Sequence, residues 1–364
     1  MRIHPQADKL SNMNRDSINE TKGLNRRLWS KGFLAGALGL NLISATWADT
    51  PVYKITLLLD DTSSMTHLPV LLAEQLGFFK AEGLVVDVLE QNSSALSTVT
   101  LMSAGLTVWS APYDQVLNLP SKEPLLSIMQ TGRTPQLALG VSRKTLPSFK
   151  RLQDLNGCRI GVPALDSQAR RCVDYAMVLA GDSPSNISHV AMGNTAQAVL
   201  AMRNGWVDAL CMPDPVMTLL EKKGDIDIVR NLRSAKESQR LFAGALPGHC
   251  LITTQDQVRK HPQACQALVF GVVRALKWLR TAGPSDLLSN MLDNPIFLDR
   301  AVYLNAVDNM RESYAVDGVM TADAAQTALR LRNVLEPQFK SMRRDLGVTY
   351  INDFAMQARK RFKV

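Results

Sequence analysis

The side chains able to do chemistry fall in short polar clusters between apolar runs. Asp60, Asp61, Thr62 and His67 lie in DDTSSMTH, Ser93 and Ser94 in QNSS, and Ser110 and Tyr113 in SAPYD. Further on, Asp166, Ser167 and Gln168 are consecutive, Asp214 sits in MPDP, and Arg133 and His249 stand alone. Carboxylates beside hydroxyls and an amide suit hydrogen-bonded capture of a small polar molecule. Asp60 and Asp61 disfavour a bare anion on their loop unless Arg133 or Arg170 offsets them, and they favour an amine, amide or heterocyclic N–H. Each residue also has a plainer reading. A single serine or aspartate ahead of a helix most often caps it, Tyr113 and Trp109 at a strand end most often belong to the core, and His67 serves a helix start as readily as a ligand. Convergence of the clusters from separate strands is what makes them a site.

Catalytic patterns are lacking. The chain has no G-x-S-x-G, no H-E-x-x-H and no G-x-x-x-x-G-K-[ST], and of its five histidines His4 lies in the leader. Cys158, Cys172, Cys211, Cys250 and Cys265 form no C-x-x-C pair, so neither a metal nor a cofactor is expected. Their odd number leaves at least one thiol over. Buried free thiols are expected, with one bridge among Cys158, Cys172 and Cys211 the alternative.

Export is written at the N-terminus. Arg26, Arg27 and Lys31 precede an apolar, uncharged run from Gly32 to Ala45, and Thr46-Trp47-Ala48 offers small residues where a signal peptidase reads. Cleavage after Ala48 is expected. Asn25 to Lys31 also resembles a twin-arginine signal, so either the general or the twin-arginine route fits. The first 48 residues carry seven basic and three acidic side chains, which takes the net charge from +8 to +4 on cleavage. That balance, with no basic stripe interleaved with aromatics, predicts no nucleic-acid partner. The cluster Arg359-Lys360-Arg361-Phe362-Lys363 reads as a solvated helix end.

The elements that must position the clusters are βα units. Tyr53 to Leu59 is an apolar strand, and HLPVLLAEQLGFFKAEGLVVDV from His67 to Val88 is a proline-led helix, a glycine-closed turn and the next strand. A strand, a polar loop and a helix N-terminus in that order bring a small ligand to free backbone N–H groups. The pattern recurs. A helix is expected over Ala95 to Ser103, strands at Leu125 to Met129, Ile187 to Val190 and Val207 to Cys211, a helix from Gln168 to Ala180, and an extended return from Leu241 to Thr253. The turns Ala104-Gly105-Leu106-Thr107-Val108 and Asn204-Gly205-Trp206-Val207-Asp208 form a loose internal repeat.

The proline-led helix followed by A-x-x-x-G-F-F and G-L-x-V, and the later Leu152-Gln153-Asp154-Leu155-Asn156-Gly157 with Gly161-Val162, resemble the solute-binding proteins of the nitrate, taurine, alkanesulfonate and thiamine-precursor (NMT1/THI5-like) family, which serve ABC importers. The small-G-x-x-D turn of that family is kept at Asp208 and lost at Val108. The resemblance implies an α/β, two-lobed periplasmic-binding-protein fold of type II, each lobe a doubly wound sheet with flanking helices. It implies a signal peptide over 1–48, one lobe from 49–137 and 248–364, a second from 138–247, and a cleft between them. It further implies a periplasmic monomer without catalysis, which closes over one small organic molecule (a sulfonate, carboxylate or N-heterocycle) and hands it to an ABC permease and its ATPase. Two alternatives remain open: an enzyme of the thiamine-pyrimidine-synthase type, whose C-C-C-F-C cluster is absent here, and a periplasmic sensor or adaptor.

Overall fold

The computed structural model describes residues 52–90, 105–118, 124–292, 299–336, 339 and 345–364. The expected signal segment, the helix at Ala95 to Ser103, and Ser93 and Ser94 lie outside the described residues. None of the helices among the described residues is long and apolar enough to cross a membrane.

Residues 49–364 form one compact unit built on two five-stranded sheets. The first contains β1 (Tyr53–Leu59), β2 (Leu84–Glu90), β3 (Thr107–Pro112), β4 (Leu125–Gln130) and the late strand β10 (His249–Thr254), in the order β2-β1-β3-β10-β4. The second contains β5 (Ala138–Ser142), β6 (Arg159–Val162), β7 (Ser188–Ala191), β8 (Ala209–Met212) and β9 (Ile226–Asn231), in the order β7-β6-β8-β5-β9. In each sheet three strands run parallel, as βα crossovers require. β10 then enters the first sheet antiparallel between β3 and β4, and β5 does the same between β8 and β9. The internal repeat seen in the sequence is thus a repeat of topology.

Local chemistry explains the first unit. β1 lies between β2 and β3, inside its sheet, so Leu57, Leu58 and Leu59 are all buried rather than alternating. The helix Leu68–Gln75 has proline in its first turn. It buries Leu68, Val70, Leu72 and Ala73, and it packs on the long helix Pro262–Thr281. It stops where Gly77 turns to φ 69°, a left-handed conformation that a Cβ would disfavour. Phe79, just beyond, is fully buried in the first-lobe core.

The chain crosses between sheets through 131–137 and again through 246–249. The crossings run side by side: Gly248 N–H donates to the Gly132 carbonyl at 2.9 Å, and Thr131 and Gly132 both donate to the His249 carbonyl at 2.9 Å. A Cβ on Gly248 would stand 2.1 Å from the Thr134 carbonyl oxygen, so only glycine permits this approach. Two details differ from the expectation. The return is extended only from His249, because Leu241 and Phe242 finish the amphipathic helix Ala235–Phe242. In addition, the helix Ala322–Leu335 packs on the second lobe's helix Gln168–Leu179, burying Ala324, Ala325 and Ala328 there.

Candidate functional site

A cavity of about 330 Å³ lies between the two sheets at the loops that follow their strands. Its polar lining comes from four stretches of chain. Asp60, Asp61, Ser64 and Thr66 follow β1, Gln115 follows β3, Asp166, Ser167 and Gln168 follow β6, and His249 opens β10. Trp109, Pro112, Leu137, Pro163, Met212 and Pro213 supply most of the apolar wall. The strand order places these loops together, since parallel strands of one sheet present their carboxyl ends on one edge.

The first-lobe wall is held by a chain of hydrogen bonds. The Asp60 carboxylate lies 2.5 Å from His67 Nε2, and His67 Nδ1 lies 3.0 Å from Ser110 Oγ. His67 is fully buried and its ring meets that of His249 edge to face, with centroids 5.1 Å apart. Burial raises the Asp60 carboxyl, but the charge and hydrogen bond of His67, with help from His249, carry it down to about 2. For His249, burial and the neighbouring His67 outweigh Asp60 and lower its pKa to about 3, so the ring is neutral. Neither ring nitrogen of His249 has a hydrogen-bond partner among the described residues. Aspartate, histidine and serine in sequence are also the parts of an acyl-transfer triad. Ser110, however, is 1% exposed and is absent from the cavity wall, so its hydroxyl meets no substrate.

The second-lobe wall is different in kind. Ser167 caps the helix Gln168–Leu179, accepting from Arg170 N–H, and the helix presents its first turn to the cavity. That positive dipole end favours a carbonyl or acid group on whatever enters. Gln168 donates Nε2 to the Pro247 carbonyl at 2.8 Å, which leaves its buried Oε1 without a partner among the described residues.

Direct bonds tie the two walls. Asp61 accepts from Thr195 N–H at 2.9 Å and from Thr195 Oγ1 at 2.7 Å, at the N-terminus of the second-lobe helix Thr195–Asn204. Its other oxygen takes Ser63 N–H at 2.8 Å. Asp114, next to β3, pairs with Arg171 at 2.7 Å with both groups buried.

Of the residues expected at the site, Asp60, Asp61, Asp166, Ser167, Gln168 and His249 line the cavity. His67 and Ser110 stand immediately behind it. The remaining described ones are engaged elsewhere. Thr62 bonds Glu90, Tyr113 is core with its hydroxyl 2.6 Å from Thr349, and Arg133 donates to the Glu312 carbonyl. Asp214 is fully buried and bound by Arg233 at 2.8 Å and by Thr218 N–H, so its carboxylate does not reach the cavity. Thr195, which the sequence marks as the start of a helix running to Arg203, was not among the residues expected at the site. The signal was present in Asn194-Thr195 behind the strand Ser188–Ala191, the same strand, loop and helix order that marked the other clusters.

Among the described residues no lysine or arginine lines the cavity, while three aspartates do. Fold and cleft together define a two-lobed periplasmic-binding-protein architecture. The chain matches the NMT1/THI5 like family over residues 64–283, and it belongs to that family. A protein of Bordetella bronchiseptica RB50 is 31% identical to it, with a TM-score of 0.80 over 85% of this chain and 98% of that one. The alkanesulfonate-binding protein SsuA of Xanthomonas axonopodis pv. citri, bound to MOPS, is 15% identical with a TM-score of 0.63, over 83% of this chain and 98% of that one. The desulfurization enzyme DSZB is 14% identical with a TM-score of 0.56, over 85% of this chain and 100% of that one, so the same fold also carries catalysis. No curated protein sequence matches the chain.

Proposed function

We propose that this protein is the exported solute-binding component of an ABC import system, closing over one small organic molecule and presenting it to a membrane permease. The observation that carries the reading is the inter-lobe cavity of about 330 Å³, with Asp60 and Asp61 on one wall and a helix N-terminus beside Asp166 on the other. Such a cavity matches a molecule with an N–H or O–H donor at one end and a carbonyl or acid group at the other. The donor end faces Asp60, and the acceptor end faces the Ser167 hydroxyl and the backbone N–H groups of the first turn of the helix Gln168–Leu179. With three aspartates and no lysine or arginine in the lining among the described residues, a simple anion gains little here. Ligand contacts to both lobes favour the closed state, and the paired crossings at 131–137 and 246–249 serve as the hinge. Export fits the leader, with Asp49 as the first mature residue and the periplasm as the working compartment.

The test is a panel of amino acids, N-heterocyclic acids, sulfonates and inorganic anions read by thermal unfolding and calorimetry. A saturating ligand at 100 times its Kd should stabilise the fold by about 2.7 kcal/mol. One amine- or amide-bearing acid binding one to one is the expected result. Nitrate or sulfate as the tight ligand would overturn the donor-seeking site, and turnover of any panel member would move the protein to the enzymes of this fold.

A further inference from the structure

We propose that Asp60, His67 and His249 form a two-histidine, one-carboxylate site for a divalent transition-metal ion on the first-lobe wall, with its remaining coordination positions open to the cavity. The inference rests on the cleft being the ligand site and adds that the organic molecule is held partly through the ion.

Four observations carry it. The three groups come from separate stretches of chain, the loop after β1, the turn before the helix Leu68–Gln75 and the start of β10, and their donor atoms lie within 4.8 Å of one another. His249 is 6% exposed, lines the cavity, and has no partner for either nitrogen among the described residues. A buried imidazole is normally satisfied, so a ring with both nitrogens unclaimed beside a carboxylate is a ligand in waiting. Behind the cluster, Ser110 Oγ stands 3.0 Å from His67 Nδ1 and can hold that ring so that Nε2 faces the ion, the outer contact that metal-ligating histidines require. Finally, the cavity is lined by three aspartates, two of them on this wall, and by no lysine or arginine among the described residues, so it is short of positive charge, which a divalent ion would supply.

Two imidazoles and one carboxylate with open positions suit zinc, iron(II) or cobalt(II) better than calcium or magnesium, which prefer all-oxygen sites. Zinc takes nitrogen and carboxylate ligands at about 2.0–2.2 Å. Binding therefore requires the Asp60 carboxylate, which also accepts from Asp61 N–H at 3.0 Å, to swing off His67 toward the cavity that it lines. The open positions would then accept an oxygen or nitrogen from the organic molecule whose far end meets the helix at Ser167.

The experiment titrates tag-free, chelator-treated full-length protein with Co²⁺ and Zn²⁺, read by visible absorption and calorimetry. One ion per chain is expected, with His249→Ala and Asp60→Ala each weakening binding by at least about tenfold. His189→Gln, at the separate His189–Asp174 pair on the second lobe, should leave binding unchanged. His249→Gln repeats the test should the alanine variant fail to fold, a failure that its melting curve would reveal. Absence of one-to-one binding, or wild-type affinity in a folded His249 variant, overturns the site. Repeating the organic panel with and without Zn²⁺ separates the two readings. Organic binding without any metal binding defeats this inference alone, whereas stoichiometric Co²⁺ with no organic ligand defeats the solute-binding reading and leaves the metal site standing.

Discussion

The wall that the first lobe presents to the cleft carries Asp60, Asp61 and His249, whereas the wall from the second sets a single carboxylate, Asp166, among Pro163, Ala164, Pro213 and the first turn of the helix Gln168–Leu179. Two sheets of the same topology have thus been given different electrostatic work: two carboxylates and an imidazole on one side, a helix dipole beside one carboxylate on the other. The same divergence is visible away from the cleft. In the second lobe, Asp208 accepts from Arg159 N–H at 2.9 Å and from its guanidinium at 3.0 Å, and Arg159 also reaches the Gly205 carbonyl. At the matching turn of the first lobe, Val108 is fully buried in the core and Gln257 donates to the Gly105 carbonyl at 2.5 Å. One repeat keeps its turn with an ion pair, the other with an apolar plug and a glutamine from a distant helix. Equal topology therefore does not require equal chemistry, provided that each glycine carbonyl finds a donor.

Exchanging the two solutions breaks the comparison most severely. Val108→Asp places a carboxylate in an apolar core with no cation beside it, and it should destabilise the protein by at least about 4 kcal/mol, measured by urea unfolding. A loss under about 1 kcal/mol would mean that the first lobe can still use the aspartate. Next in size is the tie between the walls. Asp61→Ala removes the carboxylate that caps Thr195–Asn204 across the cleft. It should weaken ligand binding by about 1.5 to 3 kcal/mol and increase the radius of gyration of the ligand-free protein in small-angle scattering. Unchanged affinity together with an unchanged radius would show that the lobes close without it. The smallest effect belongs to Asp208→Ala, a surface-proximal pair, which should cost about 1 kcal/mol in unfolding and leave ligand affinity untouched.

Much of the fold was legible because its signals are local. The proline-led helix, the glycine stop and the apolar strand from Tyr53 to Leu59 each depend on neighbours within a few residues, and all appear where the pattern places them. Five of the residues that line the cavity, Asp60, Asp61, Asp166, Ser167 and Gln168, follow the same local rule: a polar cluster after a strand emerges at the sheet edge, whereas His249 stands alone at the start of one. Asp214, Tyr113 and Arg133 satisfy the same local rule yet are engaged by Arg233, Thr349 and Glu312, residues whose proximity no spacing announces.

What the sequence by itself determined is the succession of βα units, the apolar character of the strands and the set of polar loops, since propensity and periodicity act within one element. Only the tertiary structure decided which carboxylates stay free. Asp60 and Asp61 are adjacent in the chain, but one faces a histidine whose ring packs on His249 from the last strand of its sheet, and the other caps a helix of the opposite lobe. A charged group follows the nearest donor in space, and that donor is chosen by the packing of both sheets rather than by any run of residues.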